Sequence, residues 1–352
     1  MSQSPKKILV AVLDWGLGHA TRSLVLIQAL RQRGCTVAVA SSGNALLLLR
    51  KELPEAEAFE LPAYNPVYPQ NSAMVFKMGS QLPHFIRVIN NEQKEIERLA
   101  AAHSFDLIIS DNRYGAYSNT VKSIFITHQV QVLMPSAFKW MQPAVNYFNR
   151  RQISRFTACW VPAPETNPFP ELMPSTESYV CYIGYLSRLE AMQLPVKYDL
   201  MVICSGPEPQ RTIFEKLVLK ELPKLKGRVL LVRGRPDLQA VDYIDGDVKM
   251  VNYLNGHEMS TALAQSRLVL TRPGYSSIMD LGKLGKKAIF VPTPGQTEQE
   301  YIGDVLMKEK TALCVQQNSF NLLQAMEQAR KYKGFAPQPN DNALQNAIDA
   351  WL

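Results

Sequence analysis

Residues 8–23 read Ile8-Leu-Val-Ala-Val-Leu-Asp-Trp-Gly-Leu-Gly-His-Ala-Thr-Arg-Ser23, and this stretch decides the fold class of the 352-residue chain. Its apolar start predicts a buried strand, and the glycine-containing turn that follows leads into a helical pattern near 19–33. A strand that passes through such a turn into a helix is the unit from which helix-covered parallel sheets are built. The opening of the chain therefore predicts an α/β domain.

Short apolar runs alternate with amphipathic stretches along the rest of the chain, in two series. Predicted strands of the first series are 8–13, 36–41, 106–110, 124–127, 158–161 and 179–183; those of the second are 200–204, 229–232, 248–251, 268–271, 288–291 and 312–315. Helical patterns between them are 19–33, 82–102, 136–156, 209–225, 258–265, 276–284, 298–308 and 321–332. This alternation predicts two doubly wound Rossmann-like domains that face a central cleft.

The length favours two domains, because single hydrophobic cores rarely serve chains this long. We expect an N-terminal domain over 1–184, a linker over 185–197 that shows no strand period, and a C-terminal domain over 198–335. A last helical pattern, 342–352, fits either domain and is a candidate addition to the N-terminal one.

Composition and charge restrict the class of partner. The chain is 46% apolar and 20% charged, as ordinary globular proteins are, and its net charge of +7 favours an anionic partner. Its basic residues are scattered rather than interleaved with aromatic residues in a stripe, which argues against nucleic acid as the partner.

The sequence contains no run of about 20 apolar residues and no signal-peptide pattern, so we expect a cytoplasmic protein. The five cysteines lie far apart and predict core thiols rather than disulfides or a metal knuckle.

The first glycine loop, Gly16-Leu-Gly18-His19, lies between a strand and a helix, where backbone amides can bind an anion. A dinucleotide fingerprint needs a third glycine at the position of Thr21, so the loop argues against NAD. A histidine here can take a proton from a hydroxyl group near neutral pH. Asp111, after the strand 106–110, is its expected partner, and His128 is a rival candidate.

Three loops of the second series fit one phosphorylated ligand. Ser205-Gly206 forms a small turn after a strand. Residues 272–280 follow another strand and open a helix whose first amides would face phosphate oxygens. Residues 292–301 form a third such loop. Each loop taken alone also fits an ordinary turn or helix cap.

The segment from Val251 to Tyr301 resembles the donor-binding half of a transferase family. This family includes the peptidoglycan enzyme that moves N-acetylglucosamine to lipid-linked muramyl-pentapeptide, together with related UDP-sugar transferases of the GT-B fold. The resemblance implies diphosphate contacts from Gly274, Tyr275 and Ser276, a ribose contact from Asp280 and a sugar contact from Gln299. Glu298, at the start of the helix after the third loop, is a further candidate to bind sugar hydroxyls. The resemblance also implies a uracil site at Tyr253 and Leu254, a phosphate turn at Ser205 and Gly206, and an acceptor-side loop at Gly16, Gly18 and His19.

Two departures from the family pattern leave the sugar open. Pro207 removes an amide from the phosphate turn, and the usual glutamine pair is replaced by Gln299-Glu300. N-acetylglucosamine, glucose and galactose all stay candidates.

The expected reaction is the metal-independent, inverting transfer of a hexose from a nucleotide-diphospho-sugar, with UDP as the expected nucleotide and no cofactor. His19, oriented by Asp111, would deprotonate an acceptor hydroxyl, while the amides at 274–276, helped by Arg272 or Arg233, would stabilise the leaving diphosphate. A UDP-sugar 2-epimerase and a non-catalytic nucleotide-sugar-binding subunit are the alternatives.

The acceptor is expected to be a hydroxyl compound, with a lipid or lipid-linked compound as one candidate. Residues 64–85 and 134–151 are rich in aromatic, Met, Pro and basic residues. They fit an acceptor site, peripheral contact with the inner face of a membrane, or an amphipathic helix packed on the N-terminal sheet.

Overall fold

The computed structural model describes residues 5–67, 74–174, 179–235, 238, 242–336 and 342–352, without the side chains of 74–76 and 242–245. The chain forms two compact units. The first unit holds the described residues up to 67, those from 75 to 187, and the C-terminal segment 342–352. The second holds those from 188 to 336.

A seven-stranded parallel sheet forms the centre of the first unit, in the order β3-β2-β1-β4-β5-β6-β7. Its strands are β1 (Lys7–Val12), β2 (Thr36–Ser41), β3 (Ala58–Glu60), β4 (Leu107–Asp111), β5 (Ser123–Ile126), β6 (Ala158–Val161) and β7 (Val180–Tyr182). Its helices are α1 (Leu17–Gln32), α2 (Gly43–Glu52), α3 (Met74–Ser80), α4 (Leu82–His103), a 3-10 turn (Ser136–Met141) and α5 (Gln142–Ile153).

Helical spacing of apolar residues explains how α4 covers the sheet. Ile96 and Leu99 pack with Leu9 and Ile108 of the central strands, all of them almost fully buried. The C-terminal helix α11 (Ala343–Asp349) contacts α1 and β7 and so completes the same unit. Arg33 forms an ion pair with Asp349 there.

A second seven-stranded sheet forms the centre of the second unit, in the order β10-β11-β9-β8-β12-β13-β14. Only the pair β10–β11 is antiparallel among the described strands of this sheet. The strands are β8 (Leu200–Ile203), β9 (Val229–Val232), β10 (Asp242–Asp245), β11 (Val248–Val251), β12 (Val269–Thr271), β13 (Ala288–Phe290) and β14 (Leu313–Cys314). The helices are α6 (Gln210–Glu221), α7 (Gly256–Ala264), α8 (Tyr275–Lys283), α9 (Thr297–Lys308) and α10 (Leu322–Ala329), with 3-10 turns at Leu222–Lys224 and Gln317–Ser319.

The predicted two Rossmann-like domains are confirmed, with differences in detail. The helix predicted over 136–156 is a 3-10 turn followed by α5, which has Pro143 in its first turn, a position where proline is tolerated. The structure adds β3, β10, α2 and α3, which the sequence patterns did not predict. Residues 188–197 of the expected linker pack with the second unit, as when Glu190 N donates to Ser260 Oγ at 3.1 Å. Cys181 is exposed and is therefore not the core thiol that was expected.

Candidate functional site

The first unit places its two candidate side chains at the point where its strand order reverses. β1 lies between β2 and β4, and Val12 at the end of β1 pairs with Asp111 at the end of β4. The turn after β1 leads at this same edge into α1, which carries His19 in its first turn. Doubly wound sheets bind ligands outside the carboxyl ends of the strands at such a switch point.

His19 and Asp111 meet at this edge. His19 Nδ1 lies 3.1 Å from Asp111 Oδ1, and the two side chains are 14% and 1% exposed. Two residues that the sequence patterns did not single out complete the cluster. Arg22 Nε donates to Asp111 Oδ2 at 2.9 Å, and Ser23 Oγ donates to the same oxygen at 2.8 Å. Arg22 Nη2 also contacts Asp111 Oδ1.

The spacing of α1 explains this convergence. His19, Arg22 and Ser23 are separated by three and four residues, so they lie on one face of the helix over the end of β4. The rival candidate His128 follows β5, is 8% exposed, and contributes only a smaller electrostatic effect on His19.

Electrostatics in the cluster favour a charged carboxylate and an uncharged imidazole. Burial raises the pKa of Asp111, but Arg22 and His19 outweigh that effect and hold this pKa well below its usual range. Burial and the charge of Arg22 lower the pKa of His19, although Asp111 opposes them. At neutral pH the His19 ring can therefore accept a proton. Nδ1 faces Asp111 Oδ1 and also lies 2.9 Å from Arg22 Nη2. In the tautomer whose Nδ1–H donates to the carboxylate, Nε2 is the nitrogen that would accept the proton.

A buried ion pair supports the loops around this cluster. The Arg113 guanidinium contacts Glu92 and donates to Val12 O at 3.1 Å and to Pro62 O at 2.6 Å. Glu92 Oε2 accepts hydrogen bonds from Tyr64 Oη and from Gly115 N, both at 2.9 Å. The loops after β1, β3 and β4 are thus tied to α4. Removing either partner would leave an unpaired charge in the interior.

The second unit has its own switch point between β8 and β12, which are neighbours in the sheet. The turn Ser205-Gly206 leaves β8, and Gly206 has φ +102°, a conformation that favours glycine. Ser205 Oγ lies 3.4 Å from Thr271 Oγ1 at the end of β12. The turn and the loop after β12, which carries Gly274, therefore share one edge.

Gly274 is the N-cap of α8, and neither its backbone nor its packing requires glycine. Its φ and ψ are −69° and 143°, and a Cβ added there would meet nothing within 4 Å. The Tyr275 side chain is 3% exposed and points into the core, so only its amide can face a ligand, whereas Ser276 is half-buried. The first amides of α8 thus lie beside open space, a geometry suited to anions.

Asp280 lies farther along α8 and is half-buried. It lines a small pocket together with Ser277 and apolar residues, namely Leu189, Ile203, Met259, Leu263 and Leu281. The sequence patterns indicated Asp280 but not these apolar walls, because the walls come from four separate segments. The pocket combines apolar surface with two polar groups, as small-molecule sites commonly do.

Arg272 is a buried residue that makes structural contacts within the second unit. Its side chain is 1% exposed, and its guanidinium donates to Val291 O and Pro292 O at 3.0 Å and to Gln210 O at 3.2 Å. It also lies 4.5 Å above the Phe214 ring. Burial lowers the pKa of Arg272 to about 10, which leaves it charged at neutral pH. Its Nη atoms therefore hold loops of the second unit together, and the expected contact with the diphosphate stays a prediction.

Arg233, at the end of β9, remains half-buried with its side chain 32% exposed. Arg233 Nε donates to Glu215 Oε1 at 2.5 Å, and Nη1 donates to Asn252 Oδ1 at 3.2 Å.

Tyr253 and Leu254, the expected uracil site, follow β11 and are half-buried. Tyr253 Oη lies 3.4 Å from Arg188 Nη2. The next residue, Asn255, forms a capping box with Glu258 that begins α7.

The third loop is held by side chains of α9. Gln299 is 8% exposed, and its Oε1 accepts a hydrogen bond from Thr293 N at 2.8 Å. Glu300 Oε1 accepts one from Gly295 N at 3.0 Å. The side-chain oxygen of Gln299 is therefore already hydrogen-bonded to the loop. Its side-chain nitrogen, Nε2, is the atom suited to bind a sugar hydroxyl. Glu298 lies beside it in the first turn and is half-buried.

The described residues contain neither a membrane-spanning helix nor a metal-ligand cluster. No helix there has the length and apolar character needed to span a bilayer. Within the same ranges, no three His, Cys, Asp or Glu side chains form a potential metal-ligand group.

Comparison with known proteins finds a family match for the second unit. Residues 202–349 match the glycosyltransferase family 28 C-terminal domain. The match begins in β8, spans all three loops and extends into α11. No curated protein sequence matches the chain.

Solved structures of similar fold are glycosyltransferases. The glycotransferase of kitacinnamycin superposes with a TM-score of 0.65 and 17% identity, covering 99% of this chain and 94% of its own. MurG of Acinetobacter baumannii gives a TM-score of 0.61 and 16% identity, with 99% of both chains covered. The spinosyn rhamnosyltransferase SpnG, complexed with thymidine diphosphate, gives 0.59 and 13%, with 98% and 92% covered. The expected GT-B fold is confirmed, and fold and domain match together support nucleotide-sugar-dependent glycosyl transfer.

Proposed function

We propose that this protein transfers a hexose from a UDP-sugar to an acceptor hydroxyl, with inversion at the anomeric carbon and without a metal ion. The family 28 domain match carries this proposal, because it spans the open α8 N-terminus and the half-buried Asp280. The contact between His19 and Asp111 adds a base at the switch point of the first unit.

On the acceptor side, His19 Nε2 removes the hydroxyl proton while the oxygen attacks the anomeric carbon. Asp111 holds Nδ1 and stabilises the imidazolium that forms. The bond to the diphosphate breaks as the new bond forms, so a single displacement inverts the anomeric configuration.

On the donor side, the amides of Gly274, Tyr275 and Ser276 and the dipole of α8 stabilise the departing diphosphate. This arrangement supplies positive potential without a cation. Asp280 accepts hydrogen bonds from the ribose, which favours UDP over a deoxyribose nucleotide with one hydroxyl fewer. SpnG is complexed with thymidine diphosphate, so the dTDP-sugars are the rival donors to test.

An anionic membrane surface is the proposed partner of the 3-10 turn and α5. Trp140, Tyr147 and Phe148 are 78%, 64% and 44% exposed, and Lys139, Arg150 and Arg151 are exposed among them. No acidic residue occurs between Asp111 and Glu165 in the sequence. Exposed aromatic rings mixed with basic residues are typical of helices that lie in an anionic lipid interface.

Co-sedimentation with vesicles tests the membrane contact. We expect binding to vesicles that contain anionic lipid, weak binding to neutral vesicles, and a loss of binding in the double variant Trp140→Ser and Tyr147→Ser. Leu47→Ser removes an apolar side chain on α2 that is 62% exposed and is the matched control. Equal binding to both vesicle types would contradict the proposal.

Product analysis tests the transfer reaction. The protein is incubated with UDP-sugars and dTDP-sugars, a panel of hydroxyl acceptors and a metal chelator, and the anomeric protons are followed by NMR. We expect a glycoside of inverted configuration from one UDP-sugar. A retained configuration would disprove direct displacement. Conversion of the sugar without an acceptor would indicate a 2-epimerase, and donor binding without any product would indicate a binding subunit.

A further inference from the structure

Arg22 is the strongest unexplained feature of the first unit. Its guanidinium is 2% exposed, and its Nη2 lies 2.9 Å from His19 Nδ1 while the same side chain binds both carboxylate oxygens of Asp111. Arg22 and Asp111 thus both contact the Nδ1 edge of the His19 imidazole.

The charge balance of this cluster differs from that of a simple histidine–aspartate pair. Without Arg22, a buried pair is electrically neutral when the imidazole is protonated. With Arg22 present, the cluster is neutral when the imidazole is uncharged, and protonation adds an unbalanced positive charge. Buried groups favour the balanced state, because desolvation penalises net charge.

We propose that Arg22 is a positioning residue which clamps Asp111 and keeps the His19 imidazole uncharged. The other groups that act on His19 are consistent with this role. Asp111, from the end of β4, favours the protonated ring, while His128, from the segment after β5, weakly opposes it. Arg22 comes from the same helix as His19, and its positive charge disfavours the protonated ring, as burial also does.

If His19 is the base of the proposed transfer reaction, this role of Arg22 sets the pH range in which the enzyme is active. A base must be uncharged before it takes a proton, and the pKa of His19 is lowered from its usual value. Activity should therefore persist to lower pH than an ordinary histidine base would allow. It is lost as pH falls through the lowered pKa, and it does not change as pH rises above that value.

NMR titration of the histidine rings tests the proposal without any substrate. The His19 signal is assigned by its absence in His19→Ala, and its midpoint is measured in wild type, Arg22→Met and Arg22→Lys. We expect the midpoint in Arg22→Met to rise by about 1 pH unit, the size of effect that a nearby charge produces. Arg22→Lys keeps the charge and should stay nearer the wild-type value. An unchanged midpoint in folded Arg22→Met would overturn the proposal.

A second variant covers the case in which Arg22→Met does not fold. Asp111→Asn leaves the charge of Arg22 unbalanced, so the His19 midpoint should fall below that of wild type; a rise would contradict the charge balance. The acid limb of the pH–rate profile is then measured in the same variants. If the NMR midpoint moves but the acid limb does not, the role of Arg22 stands and the proposed role of His19 as base fails.

Discussion

The two units have the same order of parallel strands around their switch points, although the second adds the antiparallel β10 at one edge, and they carry different chemical groups there. In the first unit, charged side chains meet at the edge of the sheet, with Asp111 bound by Arg22, Ser23 and His19. In the second, the corresponding edge presents a glycine turn and the open N-terminus of α8. Similar strand arrangements thus carry a candidate base in one unit and a candidate anion-binding site in the other.

The arginines show the same contrast. Arg22 contacts the candidate base directly, whereas Arg272 faces inward and joins three backbone carbonyls of its own unit. Both are almost fully buried. Position in the sequence beside a candidate loop therefore does not establish a role toward the ligand; the direction of the side chain does.

The largest effect is expected for His19→Ala. Loss of the base should lower kcat by about 10²- to 10⁴-fold, while the donor Kd stays nearly unchanged, because the donor contacts belong to the second unit. Transfer kinetics and donor titration measure the two quantities. His103→Ala, which alters a histidine at the end of α4, is the control. Equal losses of kcat and of donor affinity would break the contrast between the units.

Arg272→Met is expected to reduce stability rather than donor affinity. The variant leaves the carbonyls of Val291, Pro292 and Gln210 without their charged donor, so the free energy of unfolding should fall by about 2–4 kcal/mol. Denaturant unfolding measures this change. Arg267→Met replaces an exposed arginine and should change stability by less than about 0.5 kcal/mol. A loss of donor affinity at unchanged stability would indicate that Arg272 contacts the donor.

A smaller effect on binding is expected for Gly274→Ala. The added methyl group would occupy the open space before α8, so the donor Kd should rise about tenfold, or about 1.4 kcal/mol. Thermal stability should stay the same or increase slightly, because the backbone conformation suits alanine. Gly79→Ala, another position with open space around the added Cβ, is the control. Unchanged donor affinity in Gly274→Ala would show that no ligand approaches this glycine.

Sequence periodicity predicted most of the fold because buried parallel strands are short apolar runs. β2, β6, β9 and β11 have the predicted bounds. β3 was missed because three residues, Ala58–Glu60, are too short to show a period, and none of them is fully buried. The helix α2 was missed because its Leu-rich run resembles a strand as much as a helix.

The candidate site was partly predictable for a related reason. Residues that follow parallel strands share one edge of the sheet, so His19 and Asp111 were expected on the same side. Arg22 was not singled out, because a basic residue in a helix is usually solvent-exposed and only the tertiary structure shows it bound to Asp111. The sequence also could not predict that the Arg272 side chain points into the interior, because its acceptors are backbone carbonyls from distant segments.

Calorimetric titration of wild-type protein and His19→Ala with UDP, dTDP and UDP-sugars, with a chelator and then with magnesium, tests the proposed donor site of the second unit. We expect selective binding of UDP compounds in the presence of chelator, with the same Kd in both proteins. Absence of binding by every nucleotide, or a requirement for magnesium, would contradict the metal-independent donor site assigned to the second unit.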